Sequence, residues 1–449
     1  MKASFGPILL GFLILYCGSA LAQTDTGTGD TGTPTQQGPK PAFTYPDATP
    51  SLDFLNGELE NSSLTLGIST GFTYISYANN SLNGAQSRWL YSVIPSIGIQ
   101  QFRPRLSWHV GYSGGLQIFT QPGNSGYSGN KNYFTQSATG GFLWQMTPHW
   151  QAQGNNVFSH SANPFDSYLT LVGTPTQNNP NPVTYYPLTT ATRNLAFLTL
   201  SNRLTKVDTL TFTGTSNYRN TSTYNLLTSV PFYNLVSYGG KASYSHELSP
   251  TLSLGAGYNY NSLDFGHGQQ RSGIQTIEMT VDYLLRPNIT ISAWVGPQYT
   301  STKTVLLGIP IYSSLWSTAV GVNFGWQGVR NSFRAGFSRS VMDGAGLIGT
   351  AQVDNFNASY RRQLTAKMDL TVGTRYFHNV SVTATRRSYN TYDFNAGLGY
   401  NFTKSLIGDA RYTYYRFSES QAFLIHTGTY SDNLFGVSIS YSWRHPLGR

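Results

Sequence analysis

The chain has 449 residues, of which only 10% are charged, 14% are aromatic and 46 are glycine. Ordinary soluble domains carry about 25% charged residues, so a conventional soluble multi-domain enzyme is excluded, and a 39% hydrophobic share is too low for a helical membrane protein. The formal charge of +9 is scattered, with no basic block longer than Arg361-Arg362 or Arg386-Arg387, so nucleic acid is not an expected partner.

Residues 1–22 read as a secretory signal: Lys2 supplies the positive start, 8–16 form the apolar run, and Ala20-Leu21-Ala22 gives the small-x-small cleavage site before Gln23. The single cysteine, Cys17, falls inside that segment, which leaves no thiol in the mature chain for a disulfide or a thiolate metal site. Tyr16 directly before it is too bulky for lipoprotein processing. No other run approaches the 18 or more apolar residues of a membrane helix. Residues 23–61 are expected to be a disordered periplasmic lead. Thr, Gly, Pro, Asp and Gln dominate as far as Pro50, and such a stretch cannot bury enough surface to offset its ordering entropy.

From 62 to 443 apolar and polar residues alternate in segments separated by turn signals. Leu64, Leu66, Ile68, Phe72 and Tyr74 share one face while Thr65, Gly67, Ser69 and Thr73 share the other. A period of two means strand, because successive side chains point to opposite faces. The pattern returns at Leu106, Trp108, Val110 and Tyr112, at Leu252, Leu254, Ala256 and Tyr258, at Ile277, Met279, Val281 and Tyr283, and at Tyr392, Phe394, Ala396 and Leu398. Tight links such as Thr147-Pro148-His149, Ser249-Pro250 and Arg286-Pro287-Asn288 alternate with longer Gly-, Asn- and Ser-rich links near 78–87, 120–131, 161–190, 219–234, 263–273, 301–312, 340–352, 379–389 and 418–431. Short turns on one side and long loops on the other are the arrangement of outer-membrane barrels, with the short turns periplasmic. Nine long links imply about 18 strands, with 16 as the alternative if 150–160 and 192–204 do not both form strands. The even count puts both chain ends on the short-turn side, hence in the periplasm. The expected fold is an all-β, antiparallel, up-and-down transmembrane barrel over 62–443, with a tail at 444–449.

Aromatic residues near strand ends (Tyr74, Trp144, Trp150, Tyr283, Trp326, Tyr376, Tyr400, Phe402 and Trp443) suit girdles at the two lipid–water interfaces. In the last segment Gly436, Val437, Ile439, Tyr441 and Trp443 alternate with Ser438, Ser440 and Ser442. This resembles the closing strand of Gram-negative outer-membrane proteins, which implies recognition by the barrel-assembly machinery through Gly436, Ile439, Tyr441 and Trp443. Here 444–449 follow the aromatic on which those proteins commonly end. In its signal, alternation and closing strand the chain resembles porin-type outer-membrane proteins. That resemblance implies passive diffusion of small hydrophilic solutes through a polar lumen, in contact with outer-membrane lipid.

By parity Arg334, Arg375 and Arg411 face the lumen from strands 13, 15 and 17, and Arg105, His109, Glu278, Asp282 and Asp393 also point inward. A strip of arginine favours anions, so the pore is expected to lean toward them, unless these side chains pair with Glu278, Asp282 or Asp393. A loop at 161–190 with five prolines is the expected constriction. No catalytic residue is expected. His160-Ser161-Ala162-Asn163 is loosely like the His-x-Ser-Asn of outer-membrane phospholipases, but adjacent strand residues face opposite sides, so the base would not reach the hydroxyl. The eight histidines show no metal spacing and no phosphate or dinucleotide fingerprint is present, so no metal and no cofactor is expected. Two other readings stay open: a barrel serving polysaccharide export or envelope organisation, and a surface receptor or adhesin. The solute and the oligomeric state are not written in the sequence.

Overall fold

The alternating segments form 18 strands that close on one another. The computed structural model describes residues 62–78, 87–120, 131–161, 189–223, 234–266, 268–306, 308–344, 349–382, 388–419 and 429–447. The signal, the lead and most of the 161–190 loop lie outside the described residues. The strands are β1 (Ser63–Ala78), β2 (Ser87–Phe102), β3 (Leu106–Thr120), β4 (Lys131–Gln145), β5 (Trp150–Ser161), β6 (Thr189–Arg203), β7 (Asp208–Thr223), β8 (Leu235–Ser249) and β9 (Leu252–Phe265). They continue as β10 (Gln270–Arg286), β11 (Ile289–Leu306), β12 (Ile309–Gln327), β13 (Asn331–Asp343), β14 (Thr350–Thr365), β15 (Met368–Ser381), β16 (Ser388–Asn401), β17 (Leu406–Glu419) and β18 (Thr429–Pro446). Each pairs antiparallel with its neighbours in sequence, and β1 pairs with β18, so the sheet has no free ends. Closure removes the edges that hydrocarbon cannot satisfy.

The last strand runs past Trp443. Arg444, His445 and Pro446 stand opposite Thr65, Leu64 and Ser63, so half of the expected tail is wall. The start of β1 needs a hydrogen-bonding partner on this side, and these residues are what is there to supply it.

The tight links are held by their own hydroxyls. Thr147, Thr205 and Thr403 each accept two backbone N–H bonds through Oγ1, from His149 and Trp150, Val207 and Asp208, and Ser405 and Leu406. Such side-chain-to-backbone bonds fix a turn without help from the rest of the fold. The long-link side departs from expectation at two places. The expected loops at 263–273 and 301–312 are mostly strand, leaving only 266–269 between β9 and β10 and a two-residue link between β11 and β12. Thr300, Thr302, Thr304, Val305, Ile311 and Tyr312 explain the second case, since β-branched and aromatic residues extend strands.

The outer face is apolar. Leu66, Ile68, Tyr91, Val93, Ile97, Val110, Tyr112, Leu254, Tyr258, Ile277, Met279, Ile439 and Tyr441 all point outward and exposed. Of the girdle residues, Trp144, Tyr283, Tyr376, Tyr400, Phe402 and Trp443 are exposed on this face, while Tyr74, Trp150 and Trp326 are half-buried. Their inward neighbours are serine, threonine, asparagine and glutamine, with charged groups among them.

Proline pinches the wall twice. The β2–β3 ladder breaks beside Pro95 and the β10–β11 ladder beside Pro297, since proline has no N–H to donate. The facing strands close in at glycine. A Cβ on Gly115 would overlap the Val93 carbonyl oxygen, and one on Gly296 would overlap that of Ile277.

One hairpin parts from β12, while its second strand stays paired with β15. β12 pairs with β13 only from Val320↔Arg339 to Gln327↔Ser332, so among the described residues 309–319 pair on the β11 side alone. Beyond Arg339, β13 bends into the lumen and carries the start of β14 with it, from Ser340↔Val353 to Asp343↔Thr350. Its former outer face then meets the inner face of the opposite strands. Val341 packs with Leu235, Leu263, Phe265 and Ile274. On the other side Ala351 and Val353 join Ile75, Leu90, Phe377, Tyr389, Tyr415, Phe417 and Leu434, with Met342 against them. The lumen therefore carries an apolar cluster on each side of this hairpin at its long-link end.

Candidate functional site

The inner wall and the infolded hairpin together define the site. Hydrogen bonds hold the hairpin on several sides. The Gln298 carboxamide, on β11, accepts from the Val341 N–H at 2.7 Å and donates to Thr276 Oγ1 at 3.0 Å, with Ser317 Oγ at 3.4 Å. Ser272 Oγ meets Thr350 Oγ1 at 2.6 Å and Thr302 Oγ1 at 2.9 Å. Tyr389 donates its hydroxyl to the Gly344 carbonyl at 2.9 Å. At the tip, Arg219 on β7 grips the Asp343 carboxylate with two bonds, of 2.8 and 3.1 Å. β7 and β13 lie six places apart round the wall, too far for side chains to meet unless one strand leaves it.

The residues picked out by parity occupy several environments. His109 points inward on β3, half-buried, with its ring over Gly141. Arg105 does not line the wall. It sits exposed in the 103–105 turn, where its carbonyl accepts from the Gln145 N–H at 2.7 Å. Glu278 is buried and pairs with Lys241. That lysine reaches it from β8 across β9 at Gly257, whose missing Cβ would lie 3.5 Å from Lys241 Cε. Asp282 is exposed, between Ser253 and Ser292 on the neighbouring strands.

Arg334 lies opposite Gly325 and Ser359 on β13. Arg375 stands directly opposite Asp393. Arg411 lies 3.6 Å from Asp409, and beside them Arg361 lies 3.6 Å from Asp369. The arginines of β13, β15 and β17 thus stand on a wall where carboxylates are interleaved, not on a bare positive strip. In the closing strand Ile439, Tyr441 and Trp443 face outward and exposed, while Gly436 faces inward against Thr73.

His160 bonds Thr192 Oγ1 through Nδ1 at 2.7 Å, and Ser161 is the next residue of β5, on the opposite face. The imidazole therefore has no access to the serine hydroxyl.

An apolar outer face, a polar inner face and a fully closed ring of 18 antiparallel strands decide the architecture. This is a closed antiparallel β-barrel with the face pattern of an outer-membrane barrel. Solved structures similar in fold include OccAB4 of Acinetobacter baumannii, with 10% identity over 86% of this chain and 100% of that one, at a TM-score of 0.42. OccK8 (OprE) of Pseudomonas aeruginosa is 12% identical over 86% of this chain and 99% of that one, with a TM-score of 0.42. OccK7 (OpdD) of Pseudomonas aeruginosa is 11% identical over 86% and 99%, with a TM-score of 0.44. No family model matches the chain, and no curated protein does.

Reading by parity missed three residues of the barrel interior. Arg193 on β6 is 6% exposed and stands directly opposite Arg219, with Asp343 completing the group. For Arg219 the signal was available, since Phe212 and Tyr218 face outward at even positions and 219 is odd. For Arg193 it was masked, because Leu195, Phe197, Leu198 and Leu200 place apolar residues on both faces of β6. Nothing local predicts that Asp343 meets either one.

Proposed function

We propose that this chain is an outer-membrane channel for small hydrophilic solutes, with both termini in the periplasm and a lumen narrowed by the β13–β14 hairpin. The observation that carries the reading is the division of faces in a closed barrel. Side chains that suit lipid lie outside, and serine, threonine, asparagine and paired ions lie inside, with apolar clusters beside the hairpin. An interior of this strand number is wide enough for water unless something enters it, and here a hairpin does. The channel is accordingly selective, with the narrowest part where Asp343, Val341 and Thr350 touch the opposite strands. Solute, lipid and, during biogenesis, the assembly machinery reading Ile439, Tyr441 and Trp443 are its partners.

Current through single refolded barrels in a planar bilayer tests this. Discrete steps, smaller than those of an unobstructed barrel of this size, are expected. A folded barrel that passes no ions would overturn the reading and favour an export or receptor role.

A further inference from the structure

The outer face of β9–β12 changes character toward the long-link end, in three rows set by the strand register. Tyr260, Gln275, Tyr299 and Trp316 form the first row, capping the apolar band that begins at Trp326 on β12. Trp326 and Trp316 are ten positions apart. At about 3.4 Å per residue and a tilt of about 40° that is a rise of roughly 26 Å, the height of an outer-membrane apolar band. Beyond this row lie Ser262, Gly273, Ser301 and Ser314, and beyond those Asp264, Arg271, Lys303 and Tyr312.

Between the aromatic row and the charged row lies a groove of about 560 Å³, lined by Tyr260, Tyr299, Arg271, Lys303 and Tyr312. Tyr260 leans over its floor, with its hydroxyl 3.6 Å from where a Cβ on Gly273 would lie. The groove is positive on balance. Arg271 Nε bonds Asp264 at 2.9 Å, and the rest of this mostly exposed guanidinium keeps further donors. Lys303 stands between Arg271 and Tyr312 in its row and reaches over the Tyr312 ring, 5.8 Å from the centroid, so no carboxylate neighbours it there. Among the described residues 309–319 pair on the β11 side alone, which leaves Tyr312 and Trp316 72% and 71% exposed.

We propose that this groove binds the phosphate headgroup of an outer-leaflet lipid, with Arg271 and Lys303 on the phosphate and the acyl chains along the apolar rows beneath Trp316. Like charges directly opposite on neighbouring strands repel, and an anion between them relieves that repulsion. Depth selects a lipid over a free anion. The charged row stands four residues beyond the aromatic one, about 10 Å along the barrel axis, which is headgroup depth. A phosphate held there leaves its chains against Ile277, Met279 and Val295, all exposed on the outer face. Tyr260, Tyr299 and Trp316 flank the join between headgroup and chains, where amphipathic rings are favoured. The inference rests on an outer-membrane placement with the long links outside, and not on conduction.

Native mass spectrometry of the detergent-purified full-length barrel with dilauroyl phosphatidic acid tests the groove, with dilauroylglycerol as the phosphate-free control. Saturable retention of one phosphatidic acid is expected, and none of the glycerol lipid. Lys303→Gln should weaken retention about 5-fold, and Lys303→Gln with Arg271→Gln about 30-fold. Arg330→Gln, the same loss of charge in the β12–β13 turn, should change nothing. Equal retention of dilauroylglycerol, no loss in the double variant, or an equal loss in Arg330→Gln overturns the site. Inorganic phosphate that displaces the lipid at the lipid's own concentration also overturns it, since the groove would then hold any free phosphate. Should the double variant fail to fold, as judged by heat-dependent gel mobility, Lys303→Gln decides alone. A barrel that retains the lipid in this way but passes no ions overturns the channel and leaves the groove standing. A conducting barrel that retains no phosphatidic acid does the reverse.

Discussion

Replacing Gln298 with leucine tests whether hydrogen bonding keeps the β13–β14 hairpin inside the barrel. The side chain is 4% exposed, and leucine preserves most of its volume while removing both polar atoms. The Val341 N–H then loses its acceptor at 2.7 Å in a buried setting, which costs about 1–3 kcal/mol. Thr276 Oγ1 also loses the Gln298 N–H it accepts from, though its own O–H can still donate. A net loss of about 2 kcal/mol makes excursions of the hairpin out of the lumen roughly 30-fold more frequent. The hairpin still resides mainly inside, because Arg219–Asp343, Ser272–Thr350 and the packing of Val341 remain. Single-channel recordings should therefore show the same main conductance with many more brief, larger steps. Ser317→Ala, which loses only the 3.4 Å contact, should leave the record close to wild type. A Gln298→Leu barrel that is folded yet gives no more large steps than wild type would refute the hairpin as the movable constriction.

Three further outcomes follow from the wall. Lys241→Met strands Glu278, which is 3% exposed, and should destabilise the barrel by about 3–5 kcal/mol in urea unfolding from liposomes. Adding Glu278→Gln should recover most of that loss, and a double variant no more stable than the single one would count against the pair. Gly296→Ala drives a methyl group into the Ile277 carbonyl oxygen, and with no flexible side chain to yield it should cost at least about 2 kcal/mol or block folding, read by heat-dependent gel mobility. Asp432 is fully buried beside Tyr415 with neither carboxylate oxygen hydrogen-bonded. Asp432→Asn should raise the urea midpoint, by an amount worth about 1–3 kcal/mol, and a lowered midpoint would mean that the carboxylate has a partner in solution.

What the sequence settled by itself is the architecture. Period-two alternation, proline and threonine at the tight turns, and nine long links point to about 18 strands, their antiparallel order and which face of each strand points outward. These are local properties, since side-chain parity and Thr-capped turns need only neighbouring residues. Parity also set His109, Glu278 and Asp393 on the inner face, and Arg375 opposite Asp393 follows from the register. Strand ends were less legible, as in the 301–312 segment and the Arg444–Pro446 extension, because pairing with a neighbour decides how far a strand runs. The interior was decided only by tertiary structure. Asp343 lies 124 positions from Arg219 and six strands away round the wall. Their contact exists because β13 parts from β12 after Arg339 and turns its outer face inward, which reverses the parity of Val341 and Asp343. No periodicity within a strand records such a departure. It depends on whether the folded strand finds better partners across the lumen than along the wall.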